Sequence, residues 1–468
     1  MIEDAPMKVY KLVAVFTMFV FLSIVGFLLA PVAIAQSAFA YAYLIVAEDG
    51  STQLQIVSQT DVRSLPVVIL NGRQAPFEAF ASPSGQWVAL PLLATNQRDF
   101  LIQILNPNSG EYRDVVQGLL AGRPVGFVGL DQNLVWSPDG RYLALNVAST
   151  GDQSRGDLDV LVYSLEDGRL TDLTSDQSDQ FRVAWSPDTM KIATSTEDCS
   201  QPNQPCRLQL EVFNVSRQVR ETSTDVSFLS RGSAVPRTSI CNLNWSPDGR
   251  YVSFISGCNS TVPQYPIEAY VWDTIENNVA QVTSFTVEAA NRPQGAIIRG
   301  SYDAIWTNAQ TLVVGAAVQI NTDAVSTQTV AYTVPEISST ILSSMATRGW
   351  SLNPVSGQLA FQVIEEAPNI TDVFQSSEPV RITPPDMSLS ESLAATDAAS
   401  IFTAQAGCDL SWSPDGSTLA FTIRADNTCR ASVERIVFLA AQTGATREHV
   451  IPTNIAIARI VPIGWVAG

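Results

Sequence analysis

WSPDGRYLAL, at residues 136–145, recurs along this chain in three further close copies. These are WSPDTMKIAT at 185–194, WSPDGRYVSF at 245–254 and WSPDGSTLAF at 412–421. Weaker copies are ASPSGQWVAL at 81–90, WTNAQTLVV at 306–314 and LNPVSGQLAF at 352–361, where Trp350 stands two residues early. Seven units therefore repeat at roughly 45–60 residues, a period typical of solenoids and propellers.

Each copy predicts a β-hairpin. Proline presets φ, aspartate bonds its own backbone and glycine takes φ > 0, so Ser-Pro-Asp-Gly is a turn between two apolar strands. The tryptophan ends the first strand, where a large flat side chain fills space between packed sheets. We therefore interpret these repeated residues as structural: Trp136, Asp139, Trp185, Asp188, Trp245, Asp248, Trp412 and Asp415.

A second hairpin follows about 25 residues after each tryptophan, as in DVLVYSLEDGRLTDLT at 159–174 and EAYVWDTIENNVAQVT at 268–283. Four strands per unit, repeated without any helical period, predict an all-β propeller of four-stranded blades. Residues 40–70 supply three strands with no SPDG strand before them, and RIVPIGWVAG at 459–468 supplies one strand with Trp465. We expect the C-terminal strand to join the first blade, which gives eight blades, or seven if the unit around Trp306 is irregular.

The N-terminus predicts a location outside the cytoplasm. Lys8 and Lys11 precede an apolar run over residues 12–30, and Ala33-Ile34-Ala35 resembles a signal-peptidase site. A run of nineteen residues, apolar except for Thr17 and Ser23, can also just span a bilayer. Residues 1–36 are thus a cleaved signal peptide or a membrane anchor, and residues 38–468 a single propeller domain in the periplasm, at the cell surface or secreted.

The strand order sorts the connections between two faces. The turns from first to second and from third to fourth strands are short, and they share what we call the short-turn face. The connections from second to third strands and between blades are long, and they share the long-loop face. Binding residues concentrate on long loops held by a rigid scaffold. We therefore expect the long-loop face to bind, with large side chains in its polar loops as candidate contacts: Phe228, Arg231, Tyr265 and Phe402.

The six cysteines fit three local disulfides on that same face. Cys241 and Cys408 each lie four residues before their repeat tryptophan, whereas Cys258 and Cys429 follow the second strands. Antiparallel neighbours bring those ends together, and Cys199 and Cys206 bracket one loop. We predict the pairs 199–206, 241–258 and 408–429, which agree with an oxidising compartment.

Composition excludes several functions. With 27 basic and 45 acidic side chains the net charge is −18, so nucleic acid and anionic membrane surfaces would be repelled. A single histidine, His449, argues against most zinc and haem sites and against a Ser/His/Asp triad. We expect no metal, no cofactor and no membrane contact beyond the N-terminal segment.

The repeat resembles the TolB-like propellers, the WD-like Pro-Asp family with the signature W-S-P-D-G-x-x-L-A-F, over nearly all of the chain after residue 38. TolB carries an α/β domain before its propeller, whereas strands begin here directly after the leader. Dipeptidyl peptidases and prolyl oligopeptidases carry similar propellers beside an α/β-hydrolase domain. We expect no such domain here, and no G-x-S-x-G motif occurs.

Two functions remain open at this stage. The first is a non-catalytic propeller that binds a protein or glycan partner. The second is a propeller hydrolase or lyase whose channel carboxylates act on a carbohydrate or peptide. An enzyme needs paired acids near the axis, and the first strands offer only Asp303 and Asp409, in different blades. We therefore expect binding rather than catalysis.

Overall fold

The structure is a computed structural model, and residues Phe39–Gly468 form one compact unit. It describes residues 39–468 except for 59–60, 68–72, 77, 95–98, 120–133, 149–157, 175–177, 199–206, 231–239, 257–267, 285–297, 321–324, 365–377, 384–387, 395–405, 426–428, 430 and 453–456. The expected leader lies outside the described residues. Among those that are described, no helix is long and apolar enough to cross a membrane.

The strands form eight antiparallel blades in a ring, which is a β-propeller. Blade 1 contains β1 (Phe39–Ala47), β2 (Thr52–Val57) and β3 (Val62–Val67), and blade 2 contains β4 (Arg73–Gln74), β5 (Phe80–Ala81), β6 (Val88–Ala94), β7 (Asp99–Leu105) and β8 (Tyr112–Leu119). Blade 3 contains β9 (Leu134–Trp136), β10 (Tyr142–Ala148), β11 (Leu158–Ser164) and β12 (Leu170–Asp172), and blade 4 contains β13 (Asp179–Trp185), β14 (Lys191–Asp198), β15 (Arg207–Asn214) and β16 (Val219–Asp225).

The second half of the ring continues in chain order. Blade 5 contains β17 (Ile240–Trp245), β18 (Tyr251–Ser256), β19 (Ala269–Asp273) and β20 (Asn278–Gln281), and blade 6 contains β21 (Ile298–Asn308), β22 (Thr311–Ile320), β23 (Ser326–Thr333) and β24 (Ser338–Ser343). Blade 7 contains β25 (Ala346–Leu352), β26 (Leu359–Ile364) and β27 (Glu378–Ile382) among the described residues, and blade 8 contains β28 (Ala406–Trp412), β29 (Thr418–Arg424), β30 (Val433–Ala440) and β31 (Thr446–Val450). The last strand, β32 (Ile457–Ala467), returns to blade 1.

The predicted closure of the ring by the C-terminus is confirmed. Strand β32 pairs antiparallel with β1, from Phe39 opposite Ala467 to Ala47 opposite Ile457. Strand β1 therefore has a hydrogen-bonded partner on each side, and β32 completes blade 1 as its inner strand. The unit around Trp306 is a regular four-stranded blade, so the count is eight rather than seven.

The cores lie between blades rather than within them. Each main cluster of buried apolar side chains combines residues of two neighbouring blades, for example Trp87 and Leu143 between blades 2 and 3. The repeat tryptophans lie in these joints. At six joints the indole N–H donates to the backbone carbonyl just before the aligned position of the preceding blade: Trp136 to Phe80, Trp185 to Val135, Trp245 to Ala184, Trp306 to Asn244, Trp412 to Ser351 and Trp465 to Ser411, at 2.9–3.2 Å.

Two joints lack this hydrogen bond, because Ala81 and Leu352 stand where the tryptophan is expected. Between blades 1 and 2, the backbone N–H of Ala467 donates to the carbonyl of Gly85 at 2.8 Å. Between blades 6 and 7 the backbones approach closely, since a Cβ on Gly315 would lie 1.8 Å from the carbonyl oxygen of Thr347. Backbone contacts therefore replace the indole at both joints.

The connection between blades 7 and 8, one of the expected long loops, contains a short helix, α1 (Leu389–Ala394). Ser388 caps its start, because the backbone N–H of Ser388 donates to Glu391 at 2.7 Å and that of Glu391 donates back to Ser388 Oγ. Leu389 and Leu393 pack into the cluster between blades 6 and 7. The helix has only six residues, which is too short to show a helical period in the sequence.

We predict that Trp245→Phe lowers the free energy of unfolding by about 2 kcal/mol, because it leaves the buried Ala184 carbonyl without its donor. Trp350→Phe is the matched control, since the indole nitrogen of Trp350 is buried but makes no hydrogen bond within the described residues. We expect Trp350→Phe to lower the free energy of unfolding clearly less than Trp245→Phe does. Urea denaturation of both variants measures this, and equal losses would contradict a role for the indole hydrogen bond.

The turn Ser-Pro-Asp-Thr at residues 186–189 leads to a second prediction about stability. Thr189 has φ = 62°, where the other full copies have glycine at Gly140, Gly249 and Gly416. A β-branched residue is strained in this region. We predict that Thr189→Gly stabilises the protein by about 0.5–1 kcal/mol and that Gly249→Thr destabilises it at least as much. Denaturation midpoints that do not move in opposite directions would contradict this account.

Candidate functional site

The inner strands share a backbone irregularity that sequence analysis missed. In blades 4, 5, 7 and 8 the residue three positions before the tryptophan position has positive φ: Arg182 at 58°, Asn242 at 51°, Gly349 at 61° and Asp409 at 56°. The register of each strand shifts at this point. Such bulges re-aim a side chain. Because inner strands face the channel, these bulges form a collar around its long-loop end.

In blade 8 the collar residue is neutralised by an ion pair. The Nη2 atom of Arg424 lies 2.5 Å from Oδ2 of Asp409, and Thr422 Oγ1 donates to the same oxygen at 2.6 Å. The Arg424 side chain is only 11 % exposed, and its Nη1 donates to the carbonyl of Ala431 at 2.7 Å. Asp409 is therefore held in place by its own blade.

In blade 6 the corresponding acid bridges two blades. Asp303 Oδ2 accepts the backbone N–H of Gly349 from blade 7 at 2.7 Å, and Oδ1 accepts the N–H of Ala304 at 2.9 Å. Burial raises the pKa of Asp303, although these backbone donors and Arg348 oppose the rise. The Asp303 carboxylate thus holds the Gly349 bulge in place at the joint between blades 6 and 7, where the tryptophan hydrogen bond is missing. Its role there is structural.

Asp303 and Asp409 thus belong to separate local networks, and neither is shown facing a second carboxylate. Within the described ranges, no group of three His, Cys, Asp or Glu side chains is arranged to hold a metal ion. The collar residues carry both charge signs, Arg182 and Asp409, and Arg348 lies close to Asp303 beside the Gly349 bulge.

The long-loop face also carries the one predicted contact residue that the structure describes. Phe228 lies in a 3₁₀ turn (Ser227–Ser230) that follows β16, and it is 56 % exposed. Its ring centroid lies 6.0 Å from that of Tyr270, which stacks on Phe254. An exposed aromatic side chain over a rigid base is typical of an interface anchor. Arg231, Tyr265 and Phe402 lie outside the described residues, and their roles stay predictions.

One of the expected disulfides is present, again at the long-loop end. Cys408 and Cys429 are bonded, with their Cα atoms 5.7 Å apart. This bond ties the start of β28 to the connection after β29, next to Asp409. Cys241 is also disulfide-bonded. Cys199, Cys206 and Cys258 are not among the described residues, so the other two pairings stay predictions.

The single histidine lies at the joint that closes the ring. Its Nε2 lies 2.9 Å from the hydroxyl of Tyr43, a fully buried residue of β1, so blade 8 is linked to blade 1. Burial lowers the pKa of His449, and the charge of Arg447 lowers it further. The side chain is therefore neutral in the folded protein near pH 7 and serves the joint rather than the channel.

Comparisons with known proteins find likeness in three dimensions. No protein-family model matches the sequence, and no curated protein matches it. Among solved structures, a prolyl endopeptidase is 11 % identical with a TM-score of 0.47, over 81 % of this chain and 51 % of that chain. A puromycin-hydrolysing peptidase from Mycobacterium tuberculosis is 13 % identical with a TM-score of 0.45, over 81 % and 53 %. This chain thus spans about half the length of these two peptidases.

A putative TolB from Agrobacterium tumefaciens is also similar, at 12 % identity and a TM-score of 0.31, over 65 % of this chain and 88 % of that chain. An oligogalacturonate lyase in complex with manganese is 10 % identical with a TM-score of 0.43, over 90 % and 99 %. At such low identities the likeness concerns the fold alone. Propellers host both enzymes and binding proteins, so function must be argued from the site.

The partly buried imidazole of His449 should make the stability of the protein depend on pH. A pKa that is lower in the folded state than in the unfolded state means that the unfolded chain takes up the proton first as pH falls. The stability that depends on neutral His449 is therefore lost as pH falls below about 6.5. We predict that lowering the pH from 7.5 to 5.5 decreases the free energy of unfolding of His449→Gln by up to about 1 kcal/mol less than that of wild type.

Urea denaturation at each pH checks this difference. Tyr43→Phe is the control, because it removes the hydrogen-bond partner but keeps the buried imidazole. It should retain the acid sensitivity of wild type. Identical pH slopes in wild type and His449→Gln would refute the linkage.

Proposed function

We propose that this protein is an extracytoplasmic, non-catalytic β-propeller of TolB-like repeat type that binds a protein or glycan partner through its long-loop face. The observation that carries the proposal is Phe228, a 56 % exposed aromatic side chain on that face that rests on the Tyr270–Phe254 stack. Rigid aromatic anchors supply a large share of the energy of many interfaces.

The collar supports binding rather than catalysis. A glycosidase needs one raised-pKa acid and a second carboxylate at a set distance. Asp409 is engaged by Arg424 and Thr422, and Asp303 by the backbone of blade 7. Asp303 and Asp409 therefore each have a local structural partner that a catalytic role would have to displace.

The compartment and the net charge restrict the classes of partner that this protein can bind. The Cys408–Cys429 disulfide favours an oxidising environment outside the cytoplasm, in agreement with the apolar N-terminal run. A net charge of −18 disfavours nucleic acid and anionic lipid. Proteins and glycans of the cell envelope or extracellular space remain as the partner classes.

The test is affinity capture by the full-length protein from an envelope extract of its source cells, quantified for wild type and two variants. Phe228→Ala removes the anchor on the long-loop face. Ile275→Ala is the matched control, because Ile275 is 70 % exposed in a short-turn-face turn of blade 5. We expect the retained partner to fall at least tenfold with Phe228→Ala and to stay within twofold with Ile275→Ala.

A partner that is indifferent to Phe228→Ala would place binding elsewhere and overturn the proposal. So would turnover of a glycan or peptide substrate that Asp303→Asn abolishes without unfolding the protein.

A further inference from the structure

A cleft of about 470 Å³ opens on the short-turn face, between blades 3 and 4. Its rim is formed by the SPDG turn of blade 3, the SPDT turn of blade 4 and the third-to-fourth-strand turns of the same blades. Its floor is apolar, with Val162, Leu173 and Val215. This volume lies within the range of small-molecule sites in proteins. The cleft faces away from the collar and from Phe228.

The rim holds hydrogen-bond acceptors in fixed orientations. Asp139 Oδ1 accepts Ser137 Oγ at 2.6 Å and the backbone N–H of Arg141 at 3.0 Å. Asp188 Oδ1 accepts Ser186 Oγ at 2.6 Å and the N–H of Met190 at 3.0 Å. These turns lock the side chains, while Oδ2 of each aspartate makes no hydrogen bond within the described residues. Partial burial opposes ionisation of Asp188, but the hydrogen bonds and Lys191 prevail and lower its pKa.

The rim also holds donors. The side chains of Arg169 and Gln218 line the cleft and make no hydrogen bond within the described part of the chain. Arg141 lines it too, paired with Glu166 at 2.7 Å. Three aspartates, including Asp167, face two arginines, of which Arg141 is paired with Glu166, so the lining mixes both charge signs and is slightly negative overall. A cation would meet the guanidinium groups, and an anion would meet the carboxylates.

An aromatic wall completes the cleft. Tyr142 is half-buried among its lining residues, and its ring stacks on Trp185, with centroids 6.0 Å apart and an interplanar angle of 26°. The tryptophan holds the tyrosine ring in place. A ligand here meets one aromatic and apolar surface together with fixed acceptors and free donors on the rim.

We propose that this cleft is a second binding site, separate from the long-loop face, and that it takes a neutral sugar. Sugar hydroxyls both donate and accept, which matches Oδ2 of Asp139 and Asp188 on one side and Arg169 and Gln218 on the other. The apolar face of a pyranose ring matches Tyr142 and the floor. Carboxylates and guanidinium groups side by side in the lining favour an uncharged ligand over an anion or a cation.

The test is saturation-transfer NMR on the full-length protein, in a detergent without a sugar headgroup. The neutral probes are glucose, galactose, mannose, N-acetylglucosamine, maltose and cellobiose. Glucuronate is the anionic probe, and spermidine is the cationic probe. We expect at least one neutral probe to bind more tightly than either charged probe.

Two asparagine variants localise the binding. Asp188→Asn keeps Oδ1 for the turn and converts only the free oxygen into a donor, so binding should weaken at least tenfold. Asp248→Asn makes the same change in the equivalent turn of blade 5, which does not line this cleft, and should stay within twofold of wild type. Arg169→Gln is a second cleft variant with an expected loss of at least fivefold.

Three outcomes would overturn the proposal. They are no binding of any neutral probe, tighter binding of spermidine or glucuronate than of every neutral probe, and equal losses in Asp188→Asn and Asp248→Asn. Phe228→Ala should leave sugar binding unchanged. Failure of this site is therefore distinguishable from failure of the long-loop-face proposal.

Discussion

The indole N–H of the repeat tryptophan, donated to the backbone of the preceding blade, is the interaction on which the rest of the ring depends. A single twisted four-stranded blade cannot bury both of its faces, so the stable core forms between blades. The tryptophan fills that space and, through one directional hydrogen bond at 2.9–3.2 Å, sets the position of one inner strand against the next. The aligned carbonyl is the same at all six joints, and so the blades follow one another with one geometry.

The two joints without this tryptophan show what the bond contributes. Between blades 1 and 2, Gly85 lets the backbone of Ala467 approach and donate to it. Between blades 6 and 7, Gly315 permits a close backbone approach, Asp303 holds the Gly349 bulge and helix α1 covers the cluster. Each replacement uses small residues and backbone groups where a large side chain is missing. The acid at position 303 thus belongs to the architecture of the ring.

The candidate sites follow from the same architecture. The ring offers two faces of opposite character, and each carries a different surface. On the long-loop face are the collar, the Cys408–Cys429 disulfide and the exposed Phe228. On the short-turn face, neighbouring turns frame a cleft whose aspartates are locked by their own repeats. A repeat residue can therefore be structural through one oxygen atom and still present the other to a ligand.

The count of eight blades rather than seven comes from the structure, where the unit around Trp306 is a regular blade. The amino-acid order alone specifies the repeat, the four-stranded blade and the closure by Trp465, because these depend on turn chemistry and strand alternation within short stretches. It also indicates Cys408–Cys429, since antiparallel neighbours bring the ends of adjacent strands together. The positive-φ bulges at Arg182, Asn242 and Asp409 and the ion pair of Asp409 with Arg424 emerge only when each blade has folded, and the bridge from Asp303 to Gly349 only when two blades pack together. These features join residues that are far apart in the chain, or depend on local backbone torsions that no sequence pattern encodes. For the same reason the cleft between blades 3 and 4 has no signature in either repeat, since its walls are turns from two different blades.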